Sequence, residues 1–363
     1  MQTIKLTSNN HQQVLDQAVA ALQKGELVIY PTETIYGLGV VATDPAAVNK
    51  LLQYKSRREG KPLSIAVSNP DMAAKYVMIN DQAKKLYQRF LPGPITVISQ
   101  GKNKAAPGVE SEFGTLGIRI PDYQLIRAVV KKLGKPITAT SANASGKKRP
   151  YTINDILDHL SNKQKKLLGL IIDAGKLPPN QPSTVIDTTL STPVVLREGQ
   201  LSTSSKSTTK LPSAQLISHS EQETQQIAGK LMLKNWEKLK KQGLVIGLDG
   251  PLGAGKTIFA KGVAKFLHIK ETITSPTYSY LNEYDYQRGQ TSGKFYHLDA
   301  WKLQDPAVID KLQLNKLVQP KNILVVEWWE QIKSSLPHKQ PLQVSITESK
   351  LDHPRILKIA QTN

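Results

Sequence analysis

One segment in the second half of the chain restricts the possible fold more than any other. Residues 250–257 read GPLGAGKT, a complete phosphate-binding loop, which follows the apolar run 244–248 and precedes a helix-compatible stretch, 258–267. A strand, a glycine-rich turn and a helix N-terminus in this order aim backbone N–H groups at one point, where phosphates can be held. The segment therefore predicts an α/β domain that binds a nucleoside triphosphate; a glycine-rich turn without a ligand is the alternative.

The side chains that follow the loop extend this prediction to a metal ion. Lys256 is expected to reach the β- and γ-phosphates, and the Thr257 hydroxyl to bind Mg²⁺. Two later apolar runs end in the carboxylates Asp299 and Glu327. Carboxylates at strand ends beside such a loop are expected where Mg²⁺ and an attacking water are held, with a solvated or capping carboxylate as the alternative for each.

Length and composition limit the class of protein. The 363 residues predict two domains, each able to bury its own core. Because the chain has no cysteine, disulfides, thiolate zinc sites and thiol nucleophiles are excluded, and a reducing cytoplasm is the expected location. Neither an export signal nor a run of about 18 apolar residues is visible, so we expect a soluble, intracellular protein with no membrane contact.

The net charge of +19 is shared by the two halves of the chain. Residues 1–200 contain 26 Lys and Arg against 15 Asp and Glu, and residues 201–363 contain 22 against 14, which leaves +11 and +8. This spread suits anionic partners such as nucleotides or RNA, but a solvated basic surface explains it equally well.

A polar segment separates the two predicted domains. Residues 201–213 are rich in Ser, Thr and Lys and interrupt all apolar periodicity, which is typical of a flexible linker. The domains are therefore placed at 1–200 and 214–363. In the second domain a helix over 221–241 leads into the loop strand, and further strands are predicted at 294–298, 323–327 and 343–346.

The first domain alternates predicted helices and strands. Such alternation indicates an α/β or α+β fold around one twisted sheet. The strands are predicted at 27–30, 96–99, 117–120, 137–140, 170–173 and 185–187. The helices are predicted near 14–22 and at 44–53, 81–90, 124–132 and 153–160.

Polar motifs follow or flank these strands in a fixed order. They are PTETIYGLG (31–39), KSR (55–57), KPL (61–63), FLPGPIT (90–96), GIRIP (117–121), TSANASG (140–146), STVID (183–187) and LREG (196–199). Together they resemble the YrdC or TsaC family, the threonylcarbamoyl-AMP synthases of tRNA modification, over about residues 26–199. The K-x-R motif paired with S-x-N is the most specific part.

The resemblance implies an L-threonylcarbamoyladenylate synthase, a nucleotidyltransferase that uses L-threonine, bicarbonate or CO₂, and ATP, and releases pyrophosphate. Such a reaction needs positioning and charge stabilisation rather than a covalent nucleophile, a task that Lys and Arg suit. By resemblance, Lys55 and Arg57 are catalytic, and the substrate-binding residues are Thr32, Thr34, Lys55, Arg57, Thr115, Arg119, Thr140, Ser141, Asn143, Ser183 and Arg197. Thr32 and Arg119 are assigned to threonine, with Thr34 or Ser183 as a further candidate, and Lys55, Arg57, Ser141, Asn143 and Arg197 are assigned to ATP.

Two positions depart from this family pattern. Lys61 and Ala66 stand where some relatives have Asn at the ATP and His near the threonine. Hydrogenase-maturation carbamoyltransferases also contain such a module, but the absence of cysteine-rich zinc fingers argues against that class, and no structural metal is expected.

The motifs around the loop resemble a second family, TsaE or YjeE, over about residues 221–348. They are TSPTY (274–278), NEY (282–284), YHLD (296–299) and VEW (326–328). The resemblance implies that Thr257, Asp299 and Glu327 lie at Mg²⁺, with Thr257 and Glu327 catalytic, and that the nucleotide contacts Gly250, Gly253, Ala254, Gly255, Lys256, Thr257 and Thr277. Pro251, the AWK triplet 300–302 and Trp329 replace the Asp, LYR and Pro that are common in relatives.

Both resemblances lead to threonylcarbamoyladenosine (t⁶A) in tRNA. The prediction is a bifunctional fusion of a YrdC-like twisted α/β sheet domain and a P-loop NTPase α/β domain, in which the second is an ATPase supporting a TsaB–TsaD-type transferase complex and tRNA contact is indirect or weak. The alternatives are an RNA-binding assembly factor with the P-loop as a timing switch, and a small-molecule kinase.

Overall fold

The computed structural model divides the polypeptide into two units of helix and sheet. It describes residues 1–55, 62–144, 147–190, 193–199, 214–276, 279–303, 305–336, 341–348 and 354–361. The first unit contains residues 1–189 and 193–199, and the second contains the residues from 214 onward. The predicted linker, 201–213, lies outside the described residues.

The first unit mixes short helices with short strands. Its helices are α1 (His11–Gln23), α2 (Pro45–Tyr54), α3 (Pro70–Tyr76), α4 (Asp81–Phe90), α5 (Gln124–Leu133), α6 (Asn154–Leu157) and α7 (Asn162–Leu167). Its strands are β1 (Gln2–Lys5), β2 (Leu27–Tyr30), β3 (Gly37–Gly39), β4 (Ser64–Ala66), β5 (Val77–Met78), β6 (Ile95–Gly101), β7 (Thr115–Arg119), β8 (Ile137–Thr138), β9 (Thr140–Ser141), β10 (Leu168–Asp173), β11 (Thr184–Asp187) and β12 (Val194–Arg197).

These strands form two sheets, so the prediction of one sheet is wrong. The sheets run β1-β10-β2-β3-β9 and β12-β11-β6-β7-β4-β8, with β5 paired to β6. The predicted strand 137–140 is divided at Ala139: β8 pairs with β4, and β9 pairs with β3. Apolar alternation could not show this division, because it reports which face a residue occupies and not which strand lies beside it.

Local capping sets where α2 and α7 begin. The Asp44 carboxylate accepts hydrogen bonds from the N–H groups of Ala46 and Ala47 at the start of α2. The predicted helix 153–160 is shortened to α6, because Ser161 and Gln164 form a capping box that starts α7 as a separate helix.

The second unit is built around a single seven-stranded sheet. Its helices are α8 (Glu221–Gln242), α9 (Lys256–Phe266), α10 (Pro306–Lys311) and α11 (Leu314–Leu317), with short 3₁₀ turns at Trp329–Gln331 and Lys333–Ser335. Its strands are β13 (Ala214–Ser218), β14 (Leu244–Asp249), β15 (Leu281–Arg288), β16 (Thr291–Asp299), β17 (Ile323–Glu327), β18 (Leu342–Glu348) and β19 (Arg355–Gln361).

The order of the strands places the phosphate-binding loop at the centre of this sheet. The order is β13-β19-β18-β14-β17-β16-β15, and β14 is parallel to both of its neighbours. The loop leaves the carboxyl end of β14, where ligand sites of α/β sheets form. Across the described residues of both units, no helix has the length and apolar character needed to span a membrane.

Candidate functional site

The phosphate-binding loop joins β14 to α9 in the second unit. Gly255, the residue before α9, has φ 102°, a conformation that strongly favours glycine. The Lys256 side chain is only 5% exposed, and its Nζ donates hydrogen bonds to Gly250 O and Pro251 O, both at 2.9 Å. Nζ also lies 3.8 Å from the centroid of the Trp328 ring. Pro251 contributes only its backbone carbonyl, so its hydrogen bond with Lys256 does not depend on having Asp at this position.

Burial lowers the pKa of Lys256, while the nearby carboxylates of Glu327 and Asp299 oppose that shift. A partly desolvated ammonium interacts more strongly with an anion than one in water does. The loop therefore presents a confined cation beside backbone N–H groups, as binding of phosphate requires.

The strand-end carboxylates lie where the sequence predicts them. Asp299 and Glu327 are paired across the parallel strands β16 and β17. The Thr257 hydroxyl donates to Glu327 Oε1 at 2.8 Å, and Nε2 of the fully buried His297 lies 2.8 Å from the same oxygen. Asp299 accepts hydrogen bonds from Ser275 Oγ and Trp301 N, at 2.8 and 3.0 Å.

The donors at this point suit Mg²⁺ shared with a nucleotide. In the described part of the chain no group of three or more His, Cys, Asp or Glu side chains could hold a metal without other ligands. Mg²⁺ usually takes one or two protein carboxylates and completes its shell with phosphates and water. The Thr257 hydroxyl beside Glu327 fits that requirement. Thr277, the other predicted nucleotide contact, lies outside the described residues.

In the first unit, Lys55 ties the end of α2 to β9 and the segment after it. Its side chain is 1% exposed, and Nζ donates to Ser141 O at 2.6 Å and Asn143 O at 2.7 Å. The preceding Tyr54 hydroxyl donates to Ala142 O at 2.7 Å. The predicted residues Lys55, Ser141 and Asn143 are therefore neighbours. Thr140 precedes them on β9, whereas Arg57 and Lys61 lie outside the described residues.

The loop after β2 is tied to the end of β7. Arg119 Nη2 lies 2.6 Å from Glu33 Oε1. Thr32 Oγ1 donates to Ile35 O at 2.6 Å and lies 3.0 Å from Thr34 Oγ1, so the two predicted hydroxyls are in contact.

Arg197, at the end of β12, reaches the start of β11. Its Nε donates to Ser183 O at 3.0 Å, and its Nη2 donates to Ser183 Oγ at 2.9 Å. Although Arg197 as a whole is exposed, desolvation of its guanidinium and then the positive charges of Arg119 and Arg149 lower its pKa. The register of β7, β6, β11 and β12 places Arg119 and Arg197 at the same end of this sheet, and two guanidinium groups there suit an anionic ligand.

Thr115 is not brought to these arginines. It lies at the opposite end of β7 from Arg119, and its hydroxyl is 2.7 Å from Ser111 Oγ. At about 3.3 Å per residue, the ends of this strand are roughly 13 Å apart.

Two family models match the chain. The Sua5/YciO/YrdC model, described as "Telomere recombination", covers residues 20–199. The TsaE model, described as "Threonylcarbamoyl adenosine biosynthesis protein TsaE", covers residues 218–356. A Methanocaldococcus jannaschii protein named for threonylcarbamoyl-AMP synthase activity is 36% identical over 195 residues, which are 54% of this chain and 90% of that protein. The chain joins a Sua5/YciO/YrdC-family domain to a TsaE-family domain.

Other relatives match the Sua5/YciO/YrdC-family domain over part of their length. Threonylcarbamoyl-AMP synthase of Bacillus subtilis is 35% identical over 199 residues, 54% of this chain and 56% of that protein. The crystal structure of Pyrococcus abyssi Sua5 complexed with L-threonine aligns with a TM-score of 0.53 and 21% identity, over 90% of this chain and 92% of that one. At 21% identity, this likeness shows a similar fold and nothing about activity.

Several contacts in the two domains had no role in the sequence analysis. In the Sua5/YciO/YrdC-family domain these are the ion pair of Glu33 and the charge of Arg149; Glu33 lies inside a recognised motif, whereas Arg149 lies in none. Ala66, where some relatives have His, pairs with Arg119 across β4 and β7, so this departure lies beside the arginine assigned to threonine. In the TsaE-family domain, His297 belongs to a recognised motif, but its contact with Glu327 depends on the pairing of β16 with β17.

Proposed function

We propose that the Sua5/YciO/YrdC-family domain forms L-threonylcarbamoyl-AMP and pyrophosphate from L-threonine, bicarbonate or CO₂, and ATP. The observation that carries this proposal is the placement of Arg119 and Arg197 at the same end of one sheet, which follows from the register of β7, β6, β11 and β12. The substrates are a carboxylate and a triphosphate, and guanidinium groups bind both in a bidentate manner.

The chemistry needs no protein nucleophile. The threonine amine attacks the carbon of CO₂ and loses a proton, which gives a carbamate. A carbamate oxygen then attacks the α-phosphorus, and the bond to the pyrophosphate oxygen breaks. The protein lowers the barrier by positioning and by positive charge: Arg119 is assigned to the threonine carboxylate, and Lys55, Arg149 and Arg197 to the triphosphate.

We also propose that the TsaE-family domain is an ATPase. Lys256 and the loop N–H groups bind the phosphates, and Thr257, Asp299 and Glu327 are the groups that would hold Mg²⁺. When bound, the ion neutralises charge on the phosphate oxygens. His297 and Thr257 both hydrogen-bond to Glu327 Oε1 and so keep that carboxylate in one orientation.

The two activities together make the chain a t⁶A biosynthesis protein. Its TsaE-family domain would act on a TsaB–TsaD-type transferase complex, and contact with tRNA would be indirect or weak. Residues 201–213 would tether the domains and raise the effective concentration of the intermediate near the enzyme that consumes it. Equal pathway flux from separated domains at the same concentration would contradict the tethering proposal.

The test is pyrophosphate release from ATP and bicarbonate, with and without L-threonine. Arg197→Ala should abolish threonine-dependent release, whereas Lys256→Ala should leave it unchanged. Lys55→Met is a second variant. Its melting temperature is measured as well, because Lys55 also holds β9 in place and its loss could lower stability. Release that does not depend on threonine would contradict the synthase, and salt-dependent tRNA binding in its place would favour an RNA-binding assembly factor. A phosphorylated small-molecule product would instead indicate a kinase.

A further inference from the structure

Arg355 brings a second cationic side chain to the phosphate-binding loop. It is the first residue of β19, and its backbone pairs with Glu348 of β18 on one side and with Ser218 of β13 on the other. A residue held between two neighbouring strands has little backbone freedom. The Cα and Cβ atoms of Arg355 are therefore held in place by the sheet.

The Arg355 side chain packs on the loop itself. A Cβ atom placed on Gly255 would lie 2.8 Å from Arg355 Nε, 3.1 Å from Cδ and 3.6 Å from Cζ. The guanidinium group thus lies against the Cα of Gly255, one residue before Lys256. Any larger residue at 255 would displace it, which is a second reason for glycine there besides the positive φ.

The charge of Arg355 has no partner among the residues that the structure describes. Considering only residues that the structure describes, its guanidinium makes no hydrogen bond and no ion pair, and the side chain is half-buried. Arg288 in the same unit, by contrast, is buried and donates to Phe266 O and lies against His268, so it has a structural role. Half-buried guanidinium groups without a partner next to a phosphate-binding loop are suited to an anion.

We propose that Arg355 contacts the phosphates of the nucleotide bound at the loop, as a second cation beside Lys256. The proposal rests on the proposed nucleotide site of the TsaE-family domain and adds a residue to it. The guanidinium fork provides several N–H donors for phosphate oxygens, whereas Lys256 acts as a point charge.

Tryptophan fluorescence isolates this site in the intact chain. All four tryptophans, Trp236, Trp301, Trp328 and Trp329, lie in the TsaE-family domain, and the Trp328 ring contacts Lys256. The first domain contains no tryptophan. A titration with a non-hydrolysable ATP analogue and Mg²⁺ therefore reports the Kd at the loop alone. The variants are Arg355→Met, which keeps the aliphatic stem on Gly255, and Arg355→Lys, with Lys358→Ala on the same strand as the matched control.

Arg355→Met should raise the Kd about 10- to 100-fold, as expected for loss of a charge-assisted contact. Arg355→Lys should recover part of the loss, and Lys358→Ala should stay within about twofold of the unaltered chain. The loss should be equal for adenine and guanine analogues; a loss with one base alone would overturn the phosphate contact. An unchanged Kd in Arg355→Met, with binding abolished in Lys256→Ala, would overturn the Arg355 proposal alone. An unchanged Kd in Lys256→Ala would instead overturn the nucleotide site.

Discussion

Glu33 Oε1 lies 2.6 Å from Arg119 Nη2, and both side chains are largely buried, at 14% and 12% exposure. The pair connects the loop after β2 to the end of β7, across residues that are far apart in the sequence. Glu33 leaves the other N–H groups of the guanidinium available and fixes its orientation. The residue assigned to the threonine carboxylate is thus positioned by a carboxylate of the protein.

Glu33→Gln should weaken threonine binding and leave ATP binding unchanged. An amide in place of the carboxylate weakens the hold on Arg119 by about 1–2 kcal/mol, so the KM for L-threonine should rise about 5- to 30-fold. Steady-state pyrophosphate release with each substrate varied in turn measures both constants. Asp122→Asn, at an exposed carboxylate just after β7, is the control. A parallel rise in the KM for ATP would show a general distortion instead.

Glu327→Gln should separate nucleotide binding from hydrolysis. The amide can still accept hydrogen bonds from Thr257 and His297, but it removes the negative charge at the proposed Mg²⁺ site. The kcat for ATP hydrolysis should fall about 100-fold, in the range seen when one preorganised polar group is lost, while the Kd from tryptophan fluorescence changes far less. The exposed Glu330→Gln serves as the control. A loss of binding equal to the loss of kcat would contradict this assignment.

Trp329 belongs to the core of the TsaE-family domain, although Pro is common at this position in relatives. It is 2% exposed, and a Cβ on Gly247 of β14 would lie 2.4 Å from its Cγ, so the indole covers a glycine of the central strand. Trp329→Ala should lower the free energy of unfolding by about 3–5 kcal/mol. Urea unfolding followed by the remaining tryptophans tests this. Trp301→Ala, at a position that is 43% exposed, should cost less than about 1 kcal/mol.

Asp249, at the end of β14, should make stability depend on pH. Burial raises the pKa of this carboxyl, although the Glu330 N–H that it accepts opposes the shift. With the folded pKa above the unfolded value, the charged form destabilises the folded state. That loss is complete above the folded pKa and disappears below the unfolded value of about 4.

Asp249→Asn should therefore raise the melting temperature of the TsaE-family domain near neutral pH, and the difference should vanish below about pH 4. Thermal melts followed by tryptophan emission from about pH 3 to 8 test the trend. Asn retains an acceptor for the Glu330 N–H, so the hydrogen bond is preserved. The exposed Asp310→Asn should show no such trend, and a difference independent of pH at Asp249 would contradict the cause given.

β17 was predictable from the sequence, and the edge strand β15 was not. The apolar run over 323–327 forms β17 with its predicted bounds, because all five of its residues are buried. β15, in contrast, reads LNEYDYQR and has a single neighbouring strand, and only two of its eight residues are buried, so polar residues are tolerated there and no apolar run marks it.

Among the site residues, those that are adjacent in the sequence were predictable, whereas contacts between distant segments were not. Lys256, Thr257 and Gly255 are contiguous, and local geometry determines their mutual placement. The contacts of Glu33 with Arg119 and of His297 with Glu327 depend on which strands pair, which apolar periodicity does not report. Motif resemblance placed Ser141 and Asn143 with Lys55 but offered no signal for Arg149 or Arg355.

The place of β19 determines when the TsaE-family domain can be completed during synthesis on the ribosome. β19 lies between β13 and β18, so β13, the first strand of that sheet to be made, has no partner until residues 355–361 emerge. The elements of the Sua5/YciO/YrdC-family domain all precede residue 198, so that domain can fold while its neighbour is still being translated. A ribosome stalled before β19 would therefore display one finished domain and a nucleotide loop that still lacks the guanidinium of Arg355.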